Sequence, residues 1–232
     1  MKLIGILGGM SWESTALYYR VINETVKARL GKLHSARLLL HSVDFQEIER
    51  LQHAGDWNAT AVILGEAARG LKDGGADFLL IATNTMHKVA DEITTASGLE
   101  ILHIADPTGA ALVRNGIKCV ALLGTRFTME QEFYRTRLVT KFGLEVMVPD
   151  RNEREEIHRI IYEELCQGIV RAESAALFTN IIMNMKARGA QAVILGCTEI
   201  TMIVNSADCP VPAYDTTTLH AQAAVDKAIG ET

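Results

Sequence analysis

Four short segments carry side chains capable of chemistry where an apolar run gives way to a helix-like pattern. They are Gly8-Gly9-Met10-Ser11, Thr83-Asn84-Thr85-Met86-His87, Gly124-Thr125-Arg126 and Gly196-Cys197-Thr198-Glu199. In parallel α/β sheets ligands bind beyond the carboxyl ends of strands, near helix N-termini. The small residues, hydroxyls and backbone N–H groups of these segments form a natural receptor for a carboxylate. Cys197 is the strongest single residue. A helix beginning directly after it is expected to favour its thiolate and to lower its pKa from about 8.5 toward neutrality. The alternative is an inert buried cysteine, which its place between Gly196 and Thr198 disfavours.

Thr83, Asn84 and Thr85 are three capping residues in a row, more than one helix N-terminus needs, and the surplus hydroxyl and amide groups point to ligand binding. His87 lies one turn further on and reads as a packed histidine rather than a catalyst. Gly8-Gly9 opens neither a GxGxxG nor a GxxxxGK[ST] pattern, so nucleotide binding has little support. The other histidines show no metal-ligand spacing, and no metal is expected. Glu199 and Asp215 begin helices, where a carboxylate complements the dipole whatever its function. Cys119 and Cys166 read as core or helix residues, Cys209 as a loop thiol, and Trp12 and Trp57 as packing residues. Met10 is placed at the mouth of a site.

Strands and helices alternate along the chain, the signature of a parallel α/β architecture. Apolar runs at 3–7, 37–41, 78–82, 102–104, 118–123, 144–148, 192–195 and 211–214 predict strands buried on both faces. Helices are expected at 13–29, 58–73, 85–96, 110–115, 129–142, 153–167, 172–188 and 217–229, several ending beside a glycine. The charged stretch 151–164 predicts a solvated helix face. The run beginning at Ile4 is echoed at Val120, that beginning at Phe78 at Ala192, and that beginning at His103 at Pro212, at offsets of 116, 114 and 109. Two similar α/β units follow from this echo: 1–114 completed by 212–232, and 115–211.

With 232 residues, 48% hydrophobic and 22% charged, the composition is globular and excludes a disordered chain. No apolar run approaches the roughly 18 residues that span a bilayer, so no membrane partner is expected. A net charge of −5 with scattered basic residues argues against nucleic acid. The four cysteines form no CxxC pair, and the N-terminus reads as a first strand rather than a signal peptide, so free thiols in the cytoplasm are expected.

At Gly5–Thr15, Thr83–His87, Leu122–Met129, Ile160–Leu165, Ile194–Ile200 and Tyr214–Thr217 the sequence resembles the aspartate/glutamate racemase family over essentially its whole length. The resemblance implies two pseudo-symmetric α/β domains with the active site between them, no cofactor, and an amino-acid substrate whose Cα is approached from each side by a cysteine. It also implies a homodimer. The family's second motif stands here as Gly196-Cys197-Thr198-Glu199, but Thr83 takes the place of the first cysteine. In that respect the chain is similar to the single-cysteine enterobacterial racemases specific for L-aspartate and L-glutamate, including enzymes of broad specificity. The implied catalytic pair is Cys197 and Thr83; the implied substrate-binding residues are Met10, Gln52, Asn84, Thr85, Thr198 and Glu199. Gln52 stands where many aspartate racemases use a basic residue for the distal carboxylate. The expected function is interconversion of L- and D-aspartate or glutamate by Cα deprotonation and reprotonation. Arylmalonate decarboxylase, maleate isomerase and hydantoin racemase chemistry, or non-catalytic amino-acid binding, remain open alternatives.

Overall fold

The computed structural model describes residues 1–230, and the chain forms two compact units, Met1–Ile104 with Thr217–Thr232, and Ala105–Thr216. The first begins with β1 (Ile4–Gly8), α1 (Trp12–Leu30), β2 (Leu38–Ser42), α2 (Phe45–Ala54), α3 (Trp57–Asp73) and β3 (Phe78–Ile81). A 3₁₀ turn (Thr85–Val89) and α4 (Ala90–Ser97) follow. The second contains α5 (Ala105–Arg114), β4 (Cys119–Gly124), α6 (Arg126–Glu130), α7 (Glu132–Phe142), β5 (Glu145–Met147) and α8 (Arg151–Glu163). It continues with a 3₁₀ turn (Leu165–Gln167), α9 (Ala172–Ala187), β6 (Ala192–Gly196), a 3₁₀ turn (Thr198–Met202) and β7 (Ala213–Asp215). α10 (Thr216–Ile229) then returns to the first unit.

Both sheets are parallel. The first has the order β2-β1-β3, with Ile4 opposite Leu38 on one side and Phe78 on the other. Side chains alternate across it with period two. Ile4, Ile6, Phe78 and Leu80 pack with Tyr18, Ile22 and Val26 of α1 and Ala221, Ala224 and Val225 of α10. Leu7, Leu79 and Ile81 pack on the other side with Leu64, Ala67, Ala68 and Leu71 of α3 and with Met86 and Ile93. Coverage on both faces is why these strands read as unbroken apolar runs.

The second sheet has the order β5-β4-β6-β7, with Val120 opposite Val146 and Ala192. Ala121, Leu123, Val193 and Leu195 pack against Ile157, Ile160 and Ile161 of α8 and Phe178, Ile181 and Ile182 of α9. α8 is therefore amphipathic rather than a purely solvated face. The internal echo is a repeated topology: β1 and β4 are the central strands, β3 and β6 their neighbours, and a single bridge between Leu79 and Ile101 stands where β7 extends the second sheet.

Several elements differ from the sequence expectation. α2 is an additional helix. Asp44 caps it by accepting from Gln46 N–H, Gly55 ends it at φ 72°, and it buries only Ile48, Leu51 and Gln52, too short an apolar stripe to stand out. The helices expected at 85–96, 129–142 and 153–167 are each divided in two. The expected strand at 102–104 is reduced to the bridge at Ile101, because the backbone beyond it bonds to histidines instead. β7 pairs with β6, so only the last helix, and not the last strand, returns to the first unit. The units divide after Ile104 and Thr216 rather than after residues 114 and 211, since α5 packs on α7, with Asp106 gripped by Arg137 at 2.5 and 2.8 Å and by Lys141 at 2.7 Å.

The histidine bonds tie the first unit together around the end of β3. His220 on α10 lies 2.6 Å from the Leu102 carbonyl through Nε2, and its Nδ1 lies 2.8 Å from the Tyr18 hydroxyl. A carbonyl only accepts, so Nε2 carries the proton and the tyrosine donates to Nδ1. His87 Nδ1 donates to the Thr83 carbonyl at 2.9 Å, and His87 Nε2 accepts the Ile104 N–H at 3.2 Å. Both rings are satisfied as neutral imidazoles. Burial first, then the neighbouring His103 and His220, hold the His87 pKa well below its ordinary value.

An unfolded chain binds a proton at His87 below about pH 6.5 that the folded chain refuses. The stability contributed by this neutral ring is therefore complete above about pH 6.5 and falls with pH below it, by up to about 1.4 kcal/mol per pH unit. Urea unfolding between about pH 7 and pH 5 measures the slope. The His87→Gln variant is expected to be less stable at neutral pH and to lose that increment of slope; an unchanged slope would remove His87 from the account.

Candidate active site

The first unit assembles its site residues at the carboxyl end of β1 and β3. The chain leaves β1 through Gly8 and Gly9. Gly9 has φ 92°, and a Cβ there would lie 2.2 Å from the Val43 carbonyl oxygen, so only glycine permits this crossing. Met10 follows at 4% exposure, packed with Leu7 and Met86, inside the core rather than at a mouth. Gln52, 3% exposed, reaches Met86 Sδ with its Nε2 at 3.9 Å. Thr83 is half-buried after β3, while Asn84 and Thr85 are buried. The 3₁₀ turn that follows is not capped by the Asn84 side chain. The Thr83 carbonyl is fixed by His87.

The second unit holds Cys197, Thr198 and Glu199 at the carboxyl end of β6. Gly196 makes this end possible, because a Cβ there would lie 2.8 Å from the Leu123 carbonyl oxygen. Cys197 keeps extended backbone at φ −147° and ψ 133°, and Thr198 and Glu199 begin the 3₁₀ turn. The Cys197 thiol donates to Glu199 Oε2 at 2.9 Å. The Gly124-Thr125-Arg126 segment is differently employed: Thr125 caps α6 through its side chain, accepting from Thr128 N–H at 3.3 Å.

The expectation of a lowered Cys197 pKa is overturned. The thiol is pushed well above its ordinary value, chiefly by burial, then by the Glu199 carboxylate and Cys166, and further by its hydrogen bond to Glu199; only the Glu199 backbone N–H pulls the other way. The cause is structural. The element after Cys197 is a five-residue 3₁₀ turn, not an α-helix, and a carboxylate stands where a dipole alone was expected. The resting sulfur is a thiol that carries its proton against a waiting acceptor.

Sequence reasoning treated Cys166 as ordinary packing and Glu199 as a helix-start or substrate residue. Both prove to be electrostatic neighbours of Cys197. The Cys-x-Glu spacing was the signal for Glu199. Nothing local announces Cys166, which arrives from the 3₁₀ turn after α8. His87 belongs to a cluster, its ring centroid 4.5 Å from that of His103 and 5.8 Å from that of His220. Trp12 is 68% exposed and packs no core; Trp57 is half-buried, with the Lys88 ammonium over its ring. Among the described residues no group of three or more His, Cys, Asp or Glu could hold a metal ion, and no helix is long and apolar enough to cross a membrane.

Two α/β units of repeated topology, with polar turns at their strand ends and a thiol hydrogen-bonded to a carboxylate in the second, define the class of fold and its candidate site. A model of the Asp/Glu/hydantoin racemases matches residues 7–224, and the chain belongs to that family. As such it is an isomerase, an amino-acid racemase. It is 23% identical to the broad-specificity amino-acid racemase RacX of Bacillus subtilis (strain 168), with 96% of each chain aligned. Its fold matches a candidate Asp/Glu racemase from Yersinia pestis at a TM-score of 0.93 and 55% identity, covering 99% of this chain and 100% of that one. It also matches an aspartate racemase homologue from Pyrococcus horikoshii OT3 at a TM-score of 0.85 and 33% identity, again covering 99% and 100%.

The thiol–carboxylate pair makes a measurable forecast. Alkylation by iodoacetamide follows the thiolate, so Cys197 should react slowly near pH 7.5 and accelerate only above the ordinary thiol range near 8.5. Glu199→Gln removes a charge that opposes ionisation and should measurably speed alkylation at that pH, because more of the sulfur is then thiolate. Peptide mapping assigns the modified cysteine; equal rates in parent and variant would break the coupling.

Proposed function

We propose that the chain is a cofactor-independent racemase of α-amino acids, acidic ones foremost, in which Cys197 removes the Cα proton from one face and the Thr83 side returns a proton to the other. The observation that carries the reading is the Cys197–Glu199 hydrogen bond of 2.9 Å within Gly-Cys-Thr-Glu at the end of a buried strand. The thiol proton passes to Glu199, leaving a thiolate and a carboxylic acid. The thiolate takes the substrate Cα proton, and the electron pair of the C–H bond moves into the adjoining carboxylate as an enolate. Water relayed by Thr83 protonates the other face, and the hydroxide left behind is neutralised by the proton on Glu199. Atoms and charge balance, and no electron acceptor is needed.

Enolate charge is the main obstacle, because a Cα–H bond is far less acidic than a thiol. Preorganised donors lower this barrier. Asn84, Thr85 and Thr198, with Thr83, supply the side-chain donors in this reading. Gln52 and the buried Met10 support this end of the first sheet. The hydroxyl at Thr83 is a much weaker acid than a thiol, so the two hands of substrate are served at unequal maximal rates; the resemblance to L-specific racemases implies that the L-isomer is the favoured hand. The reading includes a cytoplasmic enzyme, supported by four free cysteines, and a homodimer, supported by the family resemblance.

Proton NMR in heavy water follows Cα exchange, and chiral chromatography follows the product from each pure enantiomer. Cys197→Ala is expected to lose about 10²–10⁴-fold or more of turnover while remaining folded, the usual cost of a general base. Activity within about tenfold of the parent would overturn the assignment. Thr83→Cys adds a titratable thiol of nearly the same volume and should raise the initial rate on the poorly handled enantiomer. A folded variant with an unchanged ratio of rates for the two hands would leave Thr83 a binding hydroxyl only.

A further inference from the structure

The carboxyl end of the first sheet also holds a cation that the proton chemistry does not use. Lys88 is half-buried on the 3₁₀ turn after β3, and its Nζ lies 4.1 Å from the centre of the Trp57 ring. Trp57 opens α3, the helix that runs back toward the start of β3, so both residues belong to the end of the sheet where the site residues gather. They meet at a defined corner. The Gly55 N–H bonds to the Gln52 carbonyl at 3.1 Å, and the Trp57 N–H bonds to the Gly55 carbonyl at 3.0 Å. Gln52 and Trp57 therefore flank one tight turn between α2 and α3. That turn touches the 3₁₀ segment twice, through Gln52 with Met86 and through Trp57 with Lys88.

The geometry of the 3₁₀ turn supplies the register. Residues three apart eclipse one another in such a helix and are separated by about 6 Å along its axis. Lys88 thus shares a face with Thr85, one turn on. An ammonium held over an indole face is both oriented and partly desolvated, which strengthens its attraction for an anion. Burial also lowers its pKa, the sign of a cation short of water.

We propose that Lys88, held over Trp57, binds the side-chain carboxylate of an acidic amino acid, with Gln52 beside it, while Asn84 and Thr85 receive the α-carboxylate. Lys88 is in this account a specificity residue, and it fills the role for which Gln52 alone is inadequate because an amide carries no charge. The proposal takes the class of ligand from the racemase reading but not the proton chemistry.

Calorimetric binding of L-glutamate, L-aspartate, L-glutamine and L-asparagine tests it. Lys88→Gln is expected to weaken the two acids by about 10- to 100-fold, the usual worth of a charge-assisted hydrogen bond. The two amides should change by less than about threefold, and Lys88→Arg should recover part of the preference. Equal losses for acids and amides, no loss for either, or a parent that does not distinguish glutamate from glutamine would each overturn the proposal. Should Lys88→Gln fail to fold by circular dichroism, Trp57→Leu reads the same point. It keeps the charge but releases it from the ring, and should reduce the preference for acids; an unchanged preference overturns the proposal. The two readings fail separately. A parent whose acid preference depends on Lys88 but which exchanges no Cα proton ends the racemase reading and keeps this one. A Lys88→Gln protein that exchanges the proton with unchanged selectivity ends this one alone.

Discussion

The hydrogen bond from the Cys197 thiol to the Glu199 carboxylate sets the terms for the rest of the structure. A half-buried thiol beside a negative charge is reluctant to ionise. In the proposed reaction that reluctance makes the thiolate, once formed, a strong base, since base strength rises with pKa. Few molecules hold the thiolate at neutral pH, and the hydrogen-bonded carboxylate gives the proton a route off the sulfur without changing that population. The pair is fixed by local structure. It requires β6 to end on a glycine, an extended cysteine and a turn tight enough to swing a side chain two residues on back to the sulfur.

The first unit solves a different problem. Its strand end must hold a polar turn still. His87 does so through backbone groups alone, the Thr83 carbonyl and the Ile104 N–H. Behind it, His220 fixes Leu102 and is itself met by Tyr18. α1, α10 and the segment 102–104 are joined to the turn by a chain of bonds in which every imidazole is neutral. Buried neutral histidines suit this task, since each offers one donor and one acceptor on a rigid ring and demands no counter-charge.

The architecture was legible in the sequence because both faces of each sheet are covered, which writes the strands as continuous apolar runs ending in small residues. The echo between Ile4 and Val120, and between Phe78 and Ala192, mapped onto strands of equal rank in the two sheets. What was hidden depended on contacts distant in the chain. The segment 102–104 has a strand's composition, but histidines 17 and 118 residues from their backbone partners claim its hydrogen bonds. α2 was hidden because only three of its residues are buried. The polar turns after β3 and β6 were legible by residue type and position, whereas Gln52 on α2 was named only through the family resemblance. The electrostatics of Cys197 were not legible, since a helix dipole was assumed where the fold supplies a 3₁₀ turn, a carboxylate and a second cysteine.

The repeated topology places unequal residues after equivalent strands. Thr83 stands two residues beyond the end of β3 and Cys197 directly after β6, so both the local backbone and the surroundings differ. Two positions after Cys197 stands a carboxylate that accepts a proton; two positions after Thr83 stands Thr85, another hydroxyl, and the nearest imidazole is committed to backbone bonds. The strand end of the second unit thus pairs a thiol with a carboxylate, while that of the first carries hydroxyls, an amide and the Lys88 ammonium over Trp57. Under the proposed racemase chemistry the two ends are therefore unequal as proton acceptors, and the two faces of the substrate are met by different chemistry.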